Sequence, residues 1–518
     1  MRVMFVYTDV GISVGYSCGI GVLSAYLKEH GHETRLIHVS EELGYPLDLE
    51  RIVRDIQTYD PGLIAMAAVT NQWYYVRQIA DHVRRHLATP ILVGGHHASA
   101  VPCEIAAQSA IDYVCKGEGE RPLLTLVDRL QDGLSTDDVP GITMRRKDVP
   151  ATDQNGLIDN PVCRWIQDLD SLPFEDRGVF QYDKIVDTRD GWAEVIATRG
   201  CPYGCTYCFN TPFFRRYKND LESTEERVKL RDFVRRRSVD STLQMLHQVK
   251  AQYPNVKGFT FVDDVFAVDA KWLAELAPRY VEEIGLPFAC TSQPQAFNEA
   301  IAQLLKEMGC KVVKMGIEAG NPRIRQHVLN RHISDDVLVQ GFTLARRYGL
   351  KPQAFNMIGL PTETKENMLE TVRLNAKLRA YIVWVSTFMP YPGTVLHDFC
   401  IKNDLIDSTK WDDVRSYRGG SVLKEASFTY LELQQIRLLF KWHLNVALDN
   451  KCSAEYQRNI DELEAMSETD WFSGQVEQVQ NERDQELDKK YRDRQVDHYI
   501  TKKYVSMFWA KEYGYDIS

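Results

Sequence analysis

Three closely spaced cysteines, Cys201, Cys205 and Cys208, constrain this 518-residue chain more than any other feature. They stand in the run Thr198-Arg-Gly-Cys-Pro-Tyr-Gly-Cys-Thr-Tyr-Cys-Phe-Asn210. Thiolates at that C-x3-C-x2-C spacing suit a cubane iron–sulfur cluster. A four-iron cluster held by three cysteines keeps one iron open to a small molecule. A structural zinc site wants four ligands, commonly in paired C-x2-C knuckles. No second knuckle follows, and His247 is too far along the chain to complete a finger. A disulfide framework does not suit an odd total of 11 cysteines with no secretory segment. The remaining cysteines (Cys18, Cys103, Cys115, Cys163, Cys290, Cys310, Cys400 and Cys452) are scattered and read as small buried hydrophobes.

Such a loop needs a scaffold, and the composition supplies one. Hydrophobic content of 44% with 26% charged residues is ordinary for globular protein. The length predicts about three domains at ~150 residues each. No apolar stretch reaches the ~18 residues that span a bilayer. The opening Met1-Arg-Val-Met-Phe-Val-Tyr7 reads as a buried strand, not a signal peptide. A net charge of −10 argues against a nucleic-acid-binding surface. The basic runs Phe213-Phe-Arg-Arg-Tyr-Lys218 and Arg235-Arg-Arg237 read first as solvated faces, with an anion or substrate contact as the alternative. The expected setting is a reducing cytoplasm.

The first 148 residues predict a doubly wound, Rossmann-like parallel α/β sheet. Strands read at 3–7, 34–38, 63–68, 91–93 and 112–116, and helices at about 20–30, 47–59, 74–88, 103–110 and 122–132. Ligands of such sheets bind beyond the carboxyl ends of the strands. The loops there are Asp9-Val-Gly-Ile-Ser-Val-Gly-Tyr-Ser-Cys-Gly-Ile-Gly21, Val69-Thr-Asn-Gln-Trp73, Gly94-Gly-His-His-Ala-Ser99 and Lys116-Gly-Glu-Gly-Glu120. Their glycines let the backbone approach a large flat ligand, and their hydroxyls and amides suit its polar rim. Gly19-Ile-Gly-Val-Leu-Ser24 approximates a dinucleotide fingerprint. The preceding loop is too long for the tight turn, however, and His38-Val-Ser40 offers no acidic ribose ligand.

Residues 149–191, with Pro150, Pro161 and Pro173, read as a packed linker. Residues 192–425 alternate again, with strands at 194–198, 258–262, 288–291, 312–317, 353–358 and 381–389. Six such units predict a partial (β/α)6 barrel with its site at the strands' carboxyl ends. Residues 426–518 read as a helical C-terminal domain. Amphipathic spacing runs over 431–450, charged stretches cover 459–467 and 475–499, and Trp471, Phe472, Trp509 and Tyr513 punctuate it. Closing the open barrel is its expected role; shaping a substrate pocket or meeting a partner is the alternative.

The cysteine run and its surroundings resemble the cobalamin-dependent radical S-adenosylmethionine (SAM) family, class B methyltransferases in particular. The resemblance covers roughly residues 1–400 and implies a 4Fe–4S cluster on the three cysteines, SAM and cobalamin. It places Tyr207 against the adenine, Asp263 with its neighbour Asp264 near the SAM ammonium, and Glu318 on the ribose. Ile358, Gly359 and Pro361 fall in an adenine-contacting segment. An N-cap at Asp264 or Asp269 is the simpler role for those aspartates. Relatives often carry an arginine where this chain has Gln293, and Asn356 replaces a leading glycine. Corrinoid contacts are implied at Tyr16, Gly19, Thr70, Asn71, Gly94, Gly95, His96, Gly117, Glu118 and Gly119, with His97 a further lining candidate. The Asp-x-His-x-x-Gly motif that ligates cobalt elsewhere is incomplete, since Asp9 and Gly11 are present without the histidine.

The implied reaction is methyl transfer to an unactivated carbon of a small-molecule substrate. A 5′-deoxyadenosyl radical abstracts hydrogen and methylcobalamin donates the methyl group, while a flavodoxin- or ferredoxin-type donor supplies electrons. Ring closure, ring contraction or another rearrangement is the alternative. A methylthiotransferase-like activity would need a second cluster and a basic terminal domain, and neither is evident.

Overall fold

The computed structural model describes residues 1–146, 156–222, 227–411, 420–424, 427–502 and 505–511. Val149, Pro150 and Tyr513, with the expected domain limits at 148/149 and 425/426, lie outside the described residues. The chain forms two compact units, Met1–Phe259 with Tyr391–Phe399, and Thr260–Pro390 with Cys400–Ser518.

The first unit opens with a seven-stranded sheet in the order β2-β1-β3-β4-β5-β6-β7. Its strands are β1 (Arg2–Thr8), β2 (Glu33–Val39), β3 (Leu63–Ala67), β4 (Ile91–Gly94), β5 (Tyr113–Cys115), β6 (Ile142–Arg145) and β7 (Leu157–Asp159). The first five run parallel, and β6 and β7 add antiparallel. The helices are α1 (Cys18–Glu29), α2 (Leu49–Tyr59), α3 (Trp73–His86), α4 (His96–Ala100), α5 (Pro102–Ala106) and α6 (Glu120–Gln131). Ser17 caps α1 by accepting from Ile20 N, and Asp48 caps α2 by accepting from Arg51 N. Ile52 and Ile56 of α2 and Ile79 of α3 are fully buried with Ile64 and Val93 of the sheet. Each such side chain contributes roughly 1.5–3 kcal/mol by leaving water.

Two expectations change here. The helix expected over 103–110 is instead α5, set off from α4, because Pro102 at its first position lacks the N–H that would continue a helix. The stretch at 157–159, expected as linker, is the seventh strand of the first sheet. Runs of three or four residues carry no readable period, so β6 and β7 were not anticipated.

Beyond α7 (Tyr182–Thr188), the strand expected over 194–198 is divided into β8 (Trp192–Val195) and β9 (Thr198–Arg199). β10 (Arg235–Arg236) pairs antiparallel with β9. α8 (Asn210–Glu222) and α9 (Val239–Gln252) follow the cysteine loop, and β8 lies beside β11 (Gly258–Phe261), where the first unit ends.

In the second unit β12 (Phe288–Ser292), β13 (Cys310–Glu318), β14 (Lys351–Ile358) and β15 (Ile382–Thr387) are parallel neighbours in chain order. α10 (Ala270–Arg279), α11 (Glu299–Glu307), α12 (Asp335–Arg347) and α13 (Lys365–Leu378) connect them, as in a partial (β/α) barrel. After α14 (Val395–Lys402) come α15 (Tyr430–Ala447), α16 (Ser453–Glu464), α17 (Glu468–Trp471) and α18 (Gln475–Asp493), packed around Trp442, Tyr456 and Tyr491. The terminal region is helical as expected through α18, and a strand pair that was not anticipated follows it. β16 (His498–Lys502) and β17 (Val505–Trp509) form a hairpin, and β17 adds antiparallel to β15 with Ile382 opposite Met507. Their aromatic and β-branched residues favour strands. Among the described residues no helix is long and apolar enough to cross a membrane.

Candidate active site

The loops at the carboxyl ends of the first sheet are tied into one rim. Gln72 is buried and exchanges two bonds with Val10, accepting from its N–H at 3.1 Å and donating to its carbonyl at 3.2 Å. The Thr70 hydroxyl and His97 Nδ1 lie 3.1 Å apart, and Gly117 N donates to Ser99 Oγ at 3.0 Å. His97 is buried against Trp73, and burial pushes its pKa down to about 4. It is therefore a neutral packing residue at pH 7. Gly95 is exposed at φ +99°, and a Cβ there would lie 2.7 Å from Ala68 O. Only glycine keeps that floor flat, which fits a broad planar ligand. Gly95→Ala is expected to cost on the order of 1–3 kcal/mol. It should also lower cobalt retained per chain, measured by denaturant unfolding and metal analysis.

Not every expected corrinoid residue faces this rim. Gly94, Asn71 and Gly119 lie half-buried along it, and Gly19 sits in the first turn of α1. Tyr16 is instead buried, with its ring edge-on to Phe180 (4.9 Å) and Tyr182 (4.8 Å) and 5.2 Å from the Arg177 guanidinium. Enclosed by two aromatic rings and the Arg177 guanidinium, it is a packing residue. Glu118 is likewise engaged. Its carboxylate accepts from Arg235 Nη1 at 2.7 Å and Ile166 N at 2.9 Å, with Arg199 Nη1 3.4 Å away. Burial would raise its pKa, but Arg199 and Arg235 outweigh that and hold it below the usual range. The Tyr217 hydroxyl accepts from Glu118 N at 2.7 Å. Glu118 thus fastens the rim to the strands and helix flanking the cysteine loop.

That loop packs beside the rim within the same unit. Cys201 and Cys205 are 8% exposed, Cys208 is half-buried, and none of the three is in a disulfide. Cys208 N donates to Cys205 O at 3.3 Å, and Thr211 Oγ1 donates to the same carbonyl at 2.8 Å. Asn210 Nδ2 donates to Cys208 Sγ at 3.8 Å, and Leu396 N to Thr206 O at 3.0 Å. Three thiols on one braced loop fit a cubane with one iron left open. His96 is exposed on the rim, with its ring 5.6 Å from Phe209 and 5.5 Å from Phe213. Phe209 also meets Tyr391 at 4.8 Å. Tyr207 is half-buried on the loop between the second and third cysteines.

In the second unit the expected SAM residues stand at successive strand ends. Asp263 is 1% exposed after β11 and its carbonyl accepts from Thr291 Oγ1 at 2.8 Å, whereas Asp264 is exposed. Asp269, not Asp264, caps α10. Glu318 ends β13 in a left-handed conformation, φ +69°, which costs a non-glycine residue about 1–3 kcal/mol. Its Oε1 lies where a Cβ on Gly316 would be, so Gly316 makes room for that carboxylate. Gln293 has a partner that sequence reasoning missed. Arg331 Nη2 donates to Gln293 Oε1 at 3.2 Å and to Gly316 O at 2.7 Å. Arg325, fully buried, donates to Ala319 O at 2.8 Å and Gly320 O at 3.1 Å and pairs with Asp335, which braces the turn after Glu318. Asn356 fills the place of the expected glycine with an amide pair to Asn375, whose Nδ2 donates to Asn356 Oδ1 at 2.8 Å.

Ile358 and Pro361 are buried, and Gly359 turns the chain at φ +76°. Glu363 is fully buried beyond them and accepts from Leu360 N at 2.9 Å; burial pushes its pKa up to about 8. The folded chain then holds a proton that the unfolded chain releases above about pH 4.5, so this group lowers stability as pH rises from ~4.5 to ~8. Glu363→Gln is expected to remove that slope, read from denaturant midpoints across the window.

Two family models match this chain. A Radical SAM superfamily model matches residues 195–374, and a B12 binding domain model matches residues 7–127. The chain is 26% identical over 407 residues to an uncharacterized methyltransferase of Pyrococcus horikoshii, covering 77% of this chain and 81% of that protein. It is 22% identical over 433 residues to an anaerobic magnesium-protoporphyrin IX monomethyl ester cyclase of Rubrivivax gelatinosus, covering 80% and 73%. Among solved structures it is similar to the radical SAM methyltransferase TsrM of Kitasatospora setae with cobalamin and a 4Fe–4S cluster bound. The TM-score is 0.62 at 17% identity, over 78% of this chain and 75% of that one.

Proposed function

Since the chain belongs to the cobalamin-dependent radical SAM enzymes, we propose that it methylates an unactivated carbon of a small-molecule substrate. The observation that carries this reading is the direct packing of the corrinoid rim on the cysteine loop, through His96 against Phe209 and Phe213. When bound, the cluster supplies the electron that cleaves SAM and the corrinoid supplies the transferable methyl group. The protein's part is to hold and shield them. Cys201, Cys205 and Cys208 carry the cluster, with the Asn210 amide on Cys208 Sγ stabilising its negative charge. The Gly94-Gly95 floor and the Thr70 and His96 side chains receive the corrinoid. Glu318 can accept hydrogen bonds from ribose hydroxyls, and Gln293, its carbonyl held by Arg331, keeps two amide N–H donors that a ligand could use. A flavodoxin- or ferredoxin-type protein delivers the electron.

The likeness to a cyclase over most of the chain favours ring closure as the second reading. One experiment separates the two. The enzyme, loaded anaerobically with cluster and cobalamin, is given SAM bearing a trideuterated methyl group, a reductant and small-molecule extract. Label appearing in a product, with matching S-adenosylhomocysteine, supports methyl transfer. Formation of 5′-deoxyadenosine with an altered but unlabelled product points to rearrangement.

A further inference from the structure

Far from the rim, the outer helices of the first sheet bring together three groups with the chemistry of a metal centre. His82 and His86 are four residues apart on α3 and so share one face, with ring centroids 4.7 Å apart. Glu50, in the first turn of the neighbouring helix α2, places its Oε1 3.1 Å from His82 Nε2. One ligand atom from each of the three lies within 4.8 Å of the others. His82 Nε2 is out of contact with solvent and has no hydrogen-bond partner, because the nearby carboxylate is poorly aligned for one. A gap ringed by two imidazoles and a carboxylate, with one nitrogen already desolvated, is arranged for a cation between them.

We propose that Glu50, His82 and His86 bind one divalent d-block cation of the zinc type, with water in the remaining position. Two neutral imidazoles and one carboxylate suit zinc, whereas magnesium and calcium prefer oxygen ligands throughout. On binding, His82 Nε2 offers its lone pair while the single ring proton resides on Nδ1; a proton lost from Nε2 to solvent is matched by one taken from solvent at Nδ1, so the ring stays neutral. The Arg85 guanidinium, 3.2 Å from Nδ1 and at the surface, swings away. The cation would staple α2 to α3. His86 lies thirteen residues beyond Trp73, about 20 Å along the helix at ~1.5 Å per residue, so the site is separate from the corrinoid rim.

The test uses the full chain loaded anaerobically with cluster and cobalamin, dialysed against zinc sulfate from 0 to about 100 μM. Wild type is compared with H82Q, H86Q and E50Q. All four carry the same cysteines, so zinc taken by thiols cancels in the comparison. Wild type is expected to hold one zinc more per chain than H82Q or H86Q and to gain melting temperature with zinc. The histidine variants should bind more weakly by over the ~10–100-fold that loss of an outer-shell partner costs. E50Q should lie between. Glu50 and His86 are exposed, so E50Q and H86Q keep the zinc-free melting temperature. Equal zinc uptake by all four chains, or none by wild type at 100 μM, overturns the proposal.

Discussion

Cys205→Ala protein, reconstituted anaerobically, is expected to hold far less than the ~4 irons per chain of wild type and to form no 5′-deoxyadenosine from SAM above background. Cys205 is the central ligand of the three, and its backbone carbonyl also anchors Cys208 N and Thr211 Oγ1. On the proposed assignment, removing its thiol leaves two of the three ligands, and a methyl side chain offers the cluster nothing in its place. Corrinoid binding should survive, since the rim loops are built on β1, β3, β4 and β5 and their mutual bonds do not pass through Cys205. Iron, sulfide and cobalt analysis on one sample reads both halves. A Cys205→Ala chain with a full iron complement would remove the basis for assigning the cluster to this loop.

Glu118→Ala is expected to destabilise the first unit by about 3–5 kcal/mol, the usual loss when one member of a buried ion network is removed. The side chain of Arg235 is 2% exposed, and it would keep its charge without its carboxylate partner. Ile166 N would lose its acceptor as well. Glu118→Gln can still accept from Ile166 N and should cost less, which separates charge from shape. The pH dependence has a definite sign. Because Arg199 and Arg235 hold the folded carboxylate below its ordinary value, its contribution is present above about pH 4.5 and is lost as pH falls through the lowered value. Urea unfolding of wild type and Glu118→Gln, followed from pH 7 downward, should show a difference that is constant above about pH 4.5 and shrinks only as the pH falls through the lowered value.

The radical SAM family was legible in the sequence because the chemistry of the cysteine run is local. Three thiols and their spacing lie in one short run, and no distant contact is needed to read them. The rim loops were legible for a related reason, since parallel α/β sheets put their ligand loops at one end. What escaped reading depends on partners distant in sequence. Glu118 looks like a ligand residue until Arg199 and Arg235 close on it, and Tyr16 until Phe180 and Tyr182 surround it. Gln293 gains Arg331 from thirty-eight residues on, past β13 and the turn that Arg325 braces. Asn356 breaks a motif because Asn375 supplies the complementary amide from α13. The short strands β6, β7, β16 and β17 were missed because their existence rests on the neighbour they pair with, not on a period of their own.

The hairpin of β16 and β17 has a consequence for synthesis. It covers the outer edge of β15, yet it is encoded more than a hundred residues downstream. At ~5–20 residues per second, a ribosome leaves that edge bare for roughly ten seconds after β15 has been made. During that interval Ile382 and Val383 present unpaired backbone to any passing strand, the situation that seeds mispairing between nascent chains. Among the described residues β17 is the strand that pairs with this edge, and it follows α15 to α18 in the chain. Yield on expression should therefore depend on translation speed and chaperone supply across that interval, quite apart from how much cofactor the finished protein is given.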